Sequence, residues 1–446
     1  MSGVLGLVVL DETVVGVALP TIQTDLGMSA TGSHWVVNAY LLVFTVLVAF
    51  CGKLGDVFGR GRLFVLGVAL FGAGSLAAGF AQSGATLVAA RGLQGAGAAM
   101  VFPATFAIMT TTFPPEQRGF AFGVQTTVAG CFMASGPVVG GFFAETISWR
   151  WIFWINLPVV TAIAAVVIAV GLHNNDGQTS TTPRQRMSMD IAGLISLVVG
   201  LTALTIALLE GSDWGWSSPT VLALLIASAV VLVFFVVIET RRDKPLIALE
   251  LLKIPTFTGC VLAFFVFQFN KIVVFIFLPL YLQKGLGFSP LASGWPICIA
   301  VLPTLITSIA AGRLADRHGT RKPLHGGLSI NGSALLIIAF GVSLENFWVI
   351  AAALFVWGST LPSVSVVPRR ALMSSVPQPQ QGEASGVNLT LQMLGGTVGL
   401  ALCTAVLTAT GGFVAVFVLT GILVLCVIPI AYALVEHPSR AAPAQP

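Results

Sequence analysis

Gly52-Lys53-Leu54-Gly55-Asp56-Val57-Phe58-Gly59-Arg60-Gly61-Arg62 returns, much later in the chain, as Gly312-Arg313-Leu314-Ala315-Asp316-Arg317-His318-Gly319-Thr320-Arg321-Lys322. Both stretches read G-x-L-x-D-x-x-G with basic residues around them, and both lie between long apolar runs. Gly52, Asp56 and Gly59 map onto Gly312, Asp316 and Gly319 at one constant offset. A charged loop repeated in each half of an apolar chain indicates a helical bundle built by internal duplication.

The composition identifies the solvent. Of 446 residues, 56% are hydrophobic and 9% are charged, against about a quarter charged in a soluble domain. So few charges cannot cover a water-facing surface, so the chain reads as an integral membrane protein. Apolar runs of about 20 residues recur, each long enough to cross a bilayer core as a helix. They cover 3–22, 35–51, 63–80, 85–105, 119–142, 151–171, 191–209, 220–238, 256–282, 291–311, 324–342, 347–367, 384–408 and 412–435. The expectation is an all-α protein of about fourteen transmembrane helices, with none of the alternating strands of a barrel.

Charge placement orients the bundle. With the N terminus in the cytoplasm, the basic residues of the loops and tail, from Lys53, Arg60 and Arg62 through Arg369, Arg370 and Arg440, fall on the cytoplasmic side. Arg150 and Lys284 face outward, and Arg91 and Lys271 lie within helices. An even number of spans puts both termini in the cytoplasm. Trp35, Trp149, Trp151, Trp214, Trp216 and Trp348 gather near the expected outer ends as an aromatic belt. The start has no basic n-region, and Asp11-Glu12 interrupt the would-be apolar core of a leader, so no cleaved segment is expected. The six cysteines lie in apolar segments without a C-x-x-C pair and read as packing residues.

The duplication extends further. Arg118-Gly119-Phe120-Ala121-Phe122-Gly123 precedes the fifth run, and Gln381-Gly382-Glu383-Ala384-Ser385-Gly386 precedes the thirteenth. Two six-helix halves alone would bring these copies closer together. The surplus is 172–255, a polar linker followed by two further apolar runs. The chain therefore divides into an N-terminal six-helix bundle (1–171), a linker with two inserted helices (172–255), and a C-terminal six-helix bundle with a short tail (256–446).

Further motifs carry a family resemblance. The first run holds Leu10-Asp11-Glu12-Thr13-Val14-Val15-Gly16-Val17-Ala18-Leu19-Pro20, the fourth Arg91-Gly92-Leu93-Gln94-Gly95-Ala96-Gly97, and the fifth Gly136-Pro137-Val138-Val139-Gly140-Gly141. With the repeated loop, these resemble the motifs of the fourteen-helix drug:proton antiporter branch of the major facilitator superfamily, over essentially the whole chain. The resemblance departs at Gly16, where the family usually has Asn, and at Phe132, where it usually has Gly. It implies two pseudo-symmetric six-helix bundles around a central cavity, two inserted helices, and proton-coupled efflux of amphipathic small molecules such as antibiotics from the cell by alternating access. It implies a monomer in the cytoplasmic membrane, in contact with lipid, protons and a small-molecule substrate. No cofactor is expected beyond the proton gradient as energy source. The alternatives are a proton-coupled importer or metabolite exchanger of the same fold, and a non-transporting membrane sensor.

A charge inside a bilayer costs several kcal/mol unless it is paired or wet. Those within the runs are Asp11, Glu12, Arg91 and Lys271. Asp11 and Arg91 lie at comparable depth. A carboxylate in a low-dielectric cavity is driven toward its neutral form by desolvation and toward its charged form by a nearby guanidinium. Asp11 thus reads as the proton-coupling group, with Arg91 tuning it, or else as half of a permanent ion pair. Glu12 points about 100° away around the helix and is a secondary coupling candidate. Lys271 lies on a stripe with Phe264, Gln268 and Phe275 at helical spacing, flanked by Asn270. It reads as a substrate contact favouring neutral or acidic compounds, or as a partner of Asp11 or Glu12. Asn38, Gln94, Gln125, Asn388 and Gln392 are further polar candidates for substrate contact or interhelical hydrogen bonds.

Gly52, Asp56, Gly59, Arg60 and Asp316 form the expected conformational latch. Gly136, Pro137, Gly140 and Gly141 form an expected bend or tight seam. No phosphate-binding loop, metal cluster, activated nucleophile or nucleic-acid surface is present in the sequence, which argues against ATP-driven transport and against an enzyme.

Overall fold

A computed structural model describes residues 2–112, 115–169, 191–242, 245, 249–377 and 380–435. They form helices α1 (Ser2–Asp25), α2 (Ala30–Phe58), α3 (Arg60–Gly79), α4 (Gly84–Thr112), α5 (Pro115–Thr146), α6 (Trp151–Trp154), α7 (Asn156–Ala169), α8 (Ile191–Trp214), α9 (Pro219–Arg241), α10 (Pro255–Lys284), α11 (Pro290–His318), α12 (Arg321–Ser343), α13 (Phe347–Ser374), α14 (Gln381–Thr410) and α15 (Phe413–Leu434). There is no strand among the described residues. In hydrocarbon every backbone group must bond within its own segment, so an apolar chain of this kind takes the helical solution throughout.

Thirteen of these helices are long and apolar enough to cross a membrane, and Trp151–Val166 supplies a shorter apolar fourteenth. That short element is broken at Ile155 into α6 and α7. Pro158 accounts for the break: it has no N–H to return to the Trp154 carbonyl, four residues back. The break sets Asn156 at the head of α7.

The repeated stretches are helix ends rather than loops. Gly52–Phe58 completes α2, α3 begins at Arg60, and only Gly59 separates them. In the second copy α11 runs to His318, and Gly319-Thr320 link it to α12. Gly59 has φ 98° and Gly319 has φ 73°. This left-handed backbone is nearly free for glycine alone, so the last glycine of each copy is the one its turn requires.

The described chain forms two compact units. The first holds Met1–Leu246, Phe275–Cys298 and Leu400–Ala405. In it α3 packs on α4, α4 on α2, α1 on α5, and α8 on α9. Glycines set these distances: a Cβ at Gly97 would lie 2.7 Å from the Gly67 carbonyl oxygen, and one at Gly200 would lie 2.7 Å from Leu232. α9 presents Leu222, Ile226, Val230, Val233 and Phe234 outward, as a helix does whose solvent is lipid. Trp35 on α2 donates to Glu210 Oε1 on α8 at 2.9 Å.

The second unit holds Ile247–Val274, Ile299–Gly399 and Val406–Pro446. There α12 packs on α13 and α15. Gly332 and Gly421 face each other across the α12–α15 seam, and Asn331 Nδ2 donates to Thr360 Oγ1 of α13 at 3.0 Å.

Candidate functional site

Glycine also builds the site in the first unit. A Cβ at Gly95 would lie 2.5 Å from the Tyr40 carbonyl oxygen of α2, and one at Gly74 of α3 would lie 2.7 Å from Gln94. These contacts press α4 between α2 and α3, and direct Arg91 and Gln94, one turn apart, into the interior. α1 is held from its other side by α5, where Gly136 lies against Thr13 and Gly140 against Val14.

Asp11 and Arg91 are completely buried and form an ion pair through Oδ2 and Nη1. Arg91 Nη1 also donates to Gln94 Oε1 at 2.8 Å, and Nε donates to the Val36 carbonyl at 2.8 Å. The guanidinium carbon lies 4.5 Å from the Tyr40 ring centroid and 5.7 Å from that of Phe153, so two aromatic faces share in stabilising the cation. The second Asp11 oxygen, Oδ1, accepts from Gln94 Nε2 at 3.1 Å and from Asn156 Nδ2 at 3.4 Å. Both amides also donate to Ser75 Oγ, at 2.8 Å and 3.2 Å respectively. A buried carboxylate is tolerable only with this kind of charge and hydrogen-bond complement. Among the described residues, Arg91 Nη2, Asn156 Oδ1 and the Tyr40 hydroxyl have no hydrogen-bond partner.

Of the expected coupling residues, Asp11 and Arg91 meet directly, and Glu12 is buried one position along α1. Gln94, read as a substrate contact, bonds to both members of the pair. Asn38 and Gln125 are buried in the same unit, and neither amide atom of Asn38 has a partner among the described residues. Sequence reasoning passed over Ser75, Phe153 and Asn156. The available signal for Asn156 was a lone amide inside an apolar run, two positions before a proline.

In the second unit, Gln268, Asn270 and Lys271 are buried on α10. Gln392 Nε2 lies 3.5 Å from Gln268 Oε1. Asn270 has both ends of its amide engaged: Nδ2 donates to the Val266 carbonyl at 2.6 Å, and Oδ1 accepts from Trp357 Nε1 at 3.1 Å. Asn388 is buried, with no partner for its Oδ1 among the described residues. The side chains of Asp56 and Asp316 lie outside the described residues, as do those of Arg118 and Glu383. Pro137 and Gly141 are placed by a separate contact. A Cβ at Gly141 would lie 2.6 Å from the Pro290 carbonyl oxygen, Gly294 of α11 packs on the Pro137 carbonyl, and Glu145 Oε2 accepts from the Leu291 amide at 2.9 Å. The small-residue motif of α5 thus serves two seams, with α1 and with the start of α11.

Comparison with known proteins agrees with this architecture. The family model described as Major Facilitator Superfamily matches residues 1–261 and 260–446. The chain belongs to the major facilitator superfamily. It is 31% identical to the multidrug transporter protein MdtP of Bacillus subtilis, over 90% of this chain and 73% of that one. It is 34% identical to the puromycin resistance protein pur8 of Streptomyces alboniger, over 92% and 81%. It is 30% identical to the tetracenomycin C resistance and export protein of Streptomyces glaucescens, over 91% and 74%. Among solved structures, a D-xylose-proton symporter superposes with a TM-score of 0.69 at 14% identity, covering 98% of this chain and 97% of that one. At that identity the likeness speaks for the fold. The protein is a multi-pass membrane transporter rather than an enzyme.

Proposed function

We propose that this major facilitator protein exports amphipathic small molecules across the cytoplasmic membrane in exchange for protons, with Asp11 as the group that carries the coupled proton. The observation that supports this most directly is a titratable carboxylate buried on α1, facing a guanidinium on α4. Proton uptake by Asp11 would cancel its attraction for Arg91 and loosen α1 from α4, and proton loss would restore it. A protonation event would in this way bias the conformation of the bundle. The names of the curated relatives, a multidrug transporter and two antibiotic-resistance proteins, support export over import, and the proton gradient would suffice without a cofactor. Lys271, Gln268 and Gln392 on the second unit, and Asn38 and Gln125 on the first, are the proposed substrate contacts. The six-plus-two-plus-six division, the cytoplasmic termini and a monomeric state belong to the same proposal.

A second reading is favoured by one observation. Asp11 receives three side-chain donors, as many as a permanent structural lock would need. Gradient-dependent efflux of a fluorescent amphipathic compound separates the two, in cells with matched membrane levels of wild type and Asp11→Asn. Efflux that needs the gradient and is lost in the mutant supports coupling at Asp11. Full gradient-driven efflux by Asp11→Asn would leave the pair with a structural role alone. Counterflow in vesicles of known orientation decides between export and import.

A further inference from the structure

The partners of Asp11 are matched to its charged form. Arg91 Nη1, Gln94 Nε2 and Asn156 Nδ2 all donate to it. A protonated carboxyl brings a hydroxyl that must itself donate, and a buried hydroxyl without an acceptor costs roughly 1–3 kcal/mol. Among the described neighbours, Gln94 Oε1 already accepts from Arg91. Asn156 Oδ1 is buried and accepts from nothing described, and it belongs to the side chain whose nitrogen touches both Asp11 Oδ1 and Ser75 Oγ. Among the described residues, Arg91 from α4 pairs with Asp11, and Tyr40 from α2 and Glu12 on α1 itself are further titratable groups near it. α3, α6 and α7 contribute Ser75, Phe153 and Asn156.

We infer that Asn156 reads the protonation state of Asp11 by rotating its amide. The amide has two N–H donors at one end and two lone pairs at the other. With Asp11 charged, the two donors serve Asp11 Oδ1 and Ser75 Oγ, as observed. When a proton from the aqueous phase binds Asp11 Oδ1, a half-turn about the last side-chain bond brings Asn156 Oδ1 to the same place. Its two lone pairs then accept from the new Asp11 hydroxyl and from the Ser75 hydroxyl. Asn156 gains and loses no proton, and Arg91 keeps its charge. Asn156 is thus a positioning residue that presents a donor to charged Asp11 and an acceptor to protonated Asp11. This inference rests on the coupling role proposed for Asp11.

Infrared difference spectroscopy between low and high pH, on the purified full chain, tests it. The wild type is expected to show a carboxylic acid band that is lost in Asp11→Asn. It should be accompanied by a side-chain amide band that moves to lower wavenumber as the amide oxygen accepts. Incorporation of isotope-labelled asparagine should displace that amide band, which separates an asparagine from Gln94 without any substitution. In Asn156→Leu the amide signal should vanish and the acid band should shift to higher wavenumber. An Asp11-dependent acid band with no asparagine signal, unmoved in Asn156→Leu, would overturn the switch while leaving coupling at Asp11 intact. Absence of any Asp11-dependent acid band would overturn the coupling reading, and the switch with it.

Discussion

Replacing one member of the Asp11–Arg91 pair strands the other charge in a fully buried site. Such a loss typically costs about 3–5 kcal/mol, whereas removing both charges costs far less. Arg91→Met should therefore lower the thermal unfolding temperature in detergent sharply, and Asp11→Asn with Arg91→Met should recover most of the loss without recovering gradient-driven efflux. A double variant as unstable as the worse single one would show that the pair is not the unit of stability. Arg91→Lys is informative in another way. A lysine keeps the charge but cannot serve Asp11, Gln94 and the Val36 carbonyl with one planar fork, so efflux is expected to fall at least tenfold at comparable protein levels. Tyr40→Phe marks the opposite limit. The Tyr40 hydroxyl is buried and has no partner among the described residues, so its removal takes away an unsatisfied polar group and should raise stability by about 1–3 kcal/mol.

At the scale of elements, the two turns after the repeated motif rest on one glycine each. Gly59→Ala and Gly319→Ala force a side chain into left-handed backbone, at a cost of about 1 kcal/mol per site. Being in separate turns, the two losses should add in a thermal-shift measurement. Gly312→Ala is the control, since its Cβ would meet nothing within 4 Å. These turns show why sequence reading succeeded and where it stopped. The repeated glycines, aspartates and basic residues were visible as a pattern, and apolar runs bounded by them gave thirteen long spans and a short fourteenth. The reading as loops missed because a helix that leaves the hydrocarbon still has a backbone to satisfy, so α2 and α11 continue through charged residues up to the glycine. Within the site, Asp11 and Arg91 were legible because a charge in an apolar run demands an explanation. Ser75 and Asn156 were not, because a serine among glycines and one amide carry no such demand until packing brings them together.

For the whole molecule, alternating access requires some helix contacts to break in each cycle. α1 and the end of α10 meet within the first unit, where Gln283 Nε2 donates to the Val17 carbonyl and Lys284 Nζ to Gln23 Oε1 at 3.1 Å. Gly16 lets α1 approach α10 closely: a Cβ there would lie 2.5 Å from the Phe275 carbonyl oxygen. If this seam opens during turnover, cysteines at Gln23 and Lys284, in a background without the exposed Cys131 and Cys426, should crosslink and stop efflux, with recovery on reduction. Crosslinked protein that transports at the wild-type rate would assign the moving contacts to other helices. The Asp11–Arg91 pair has one more consequence, which concerns how the protein is made. Its two charges lie on α1 and α4, and α1 is synthesised before α4. α1 must therefore be delivered to the membrane carrying an acid whose counter-charge has not yet been translated. Biogenesis of this transporter must shelter that acid, in water or at the insertion machinery, until α4 emerges behind it.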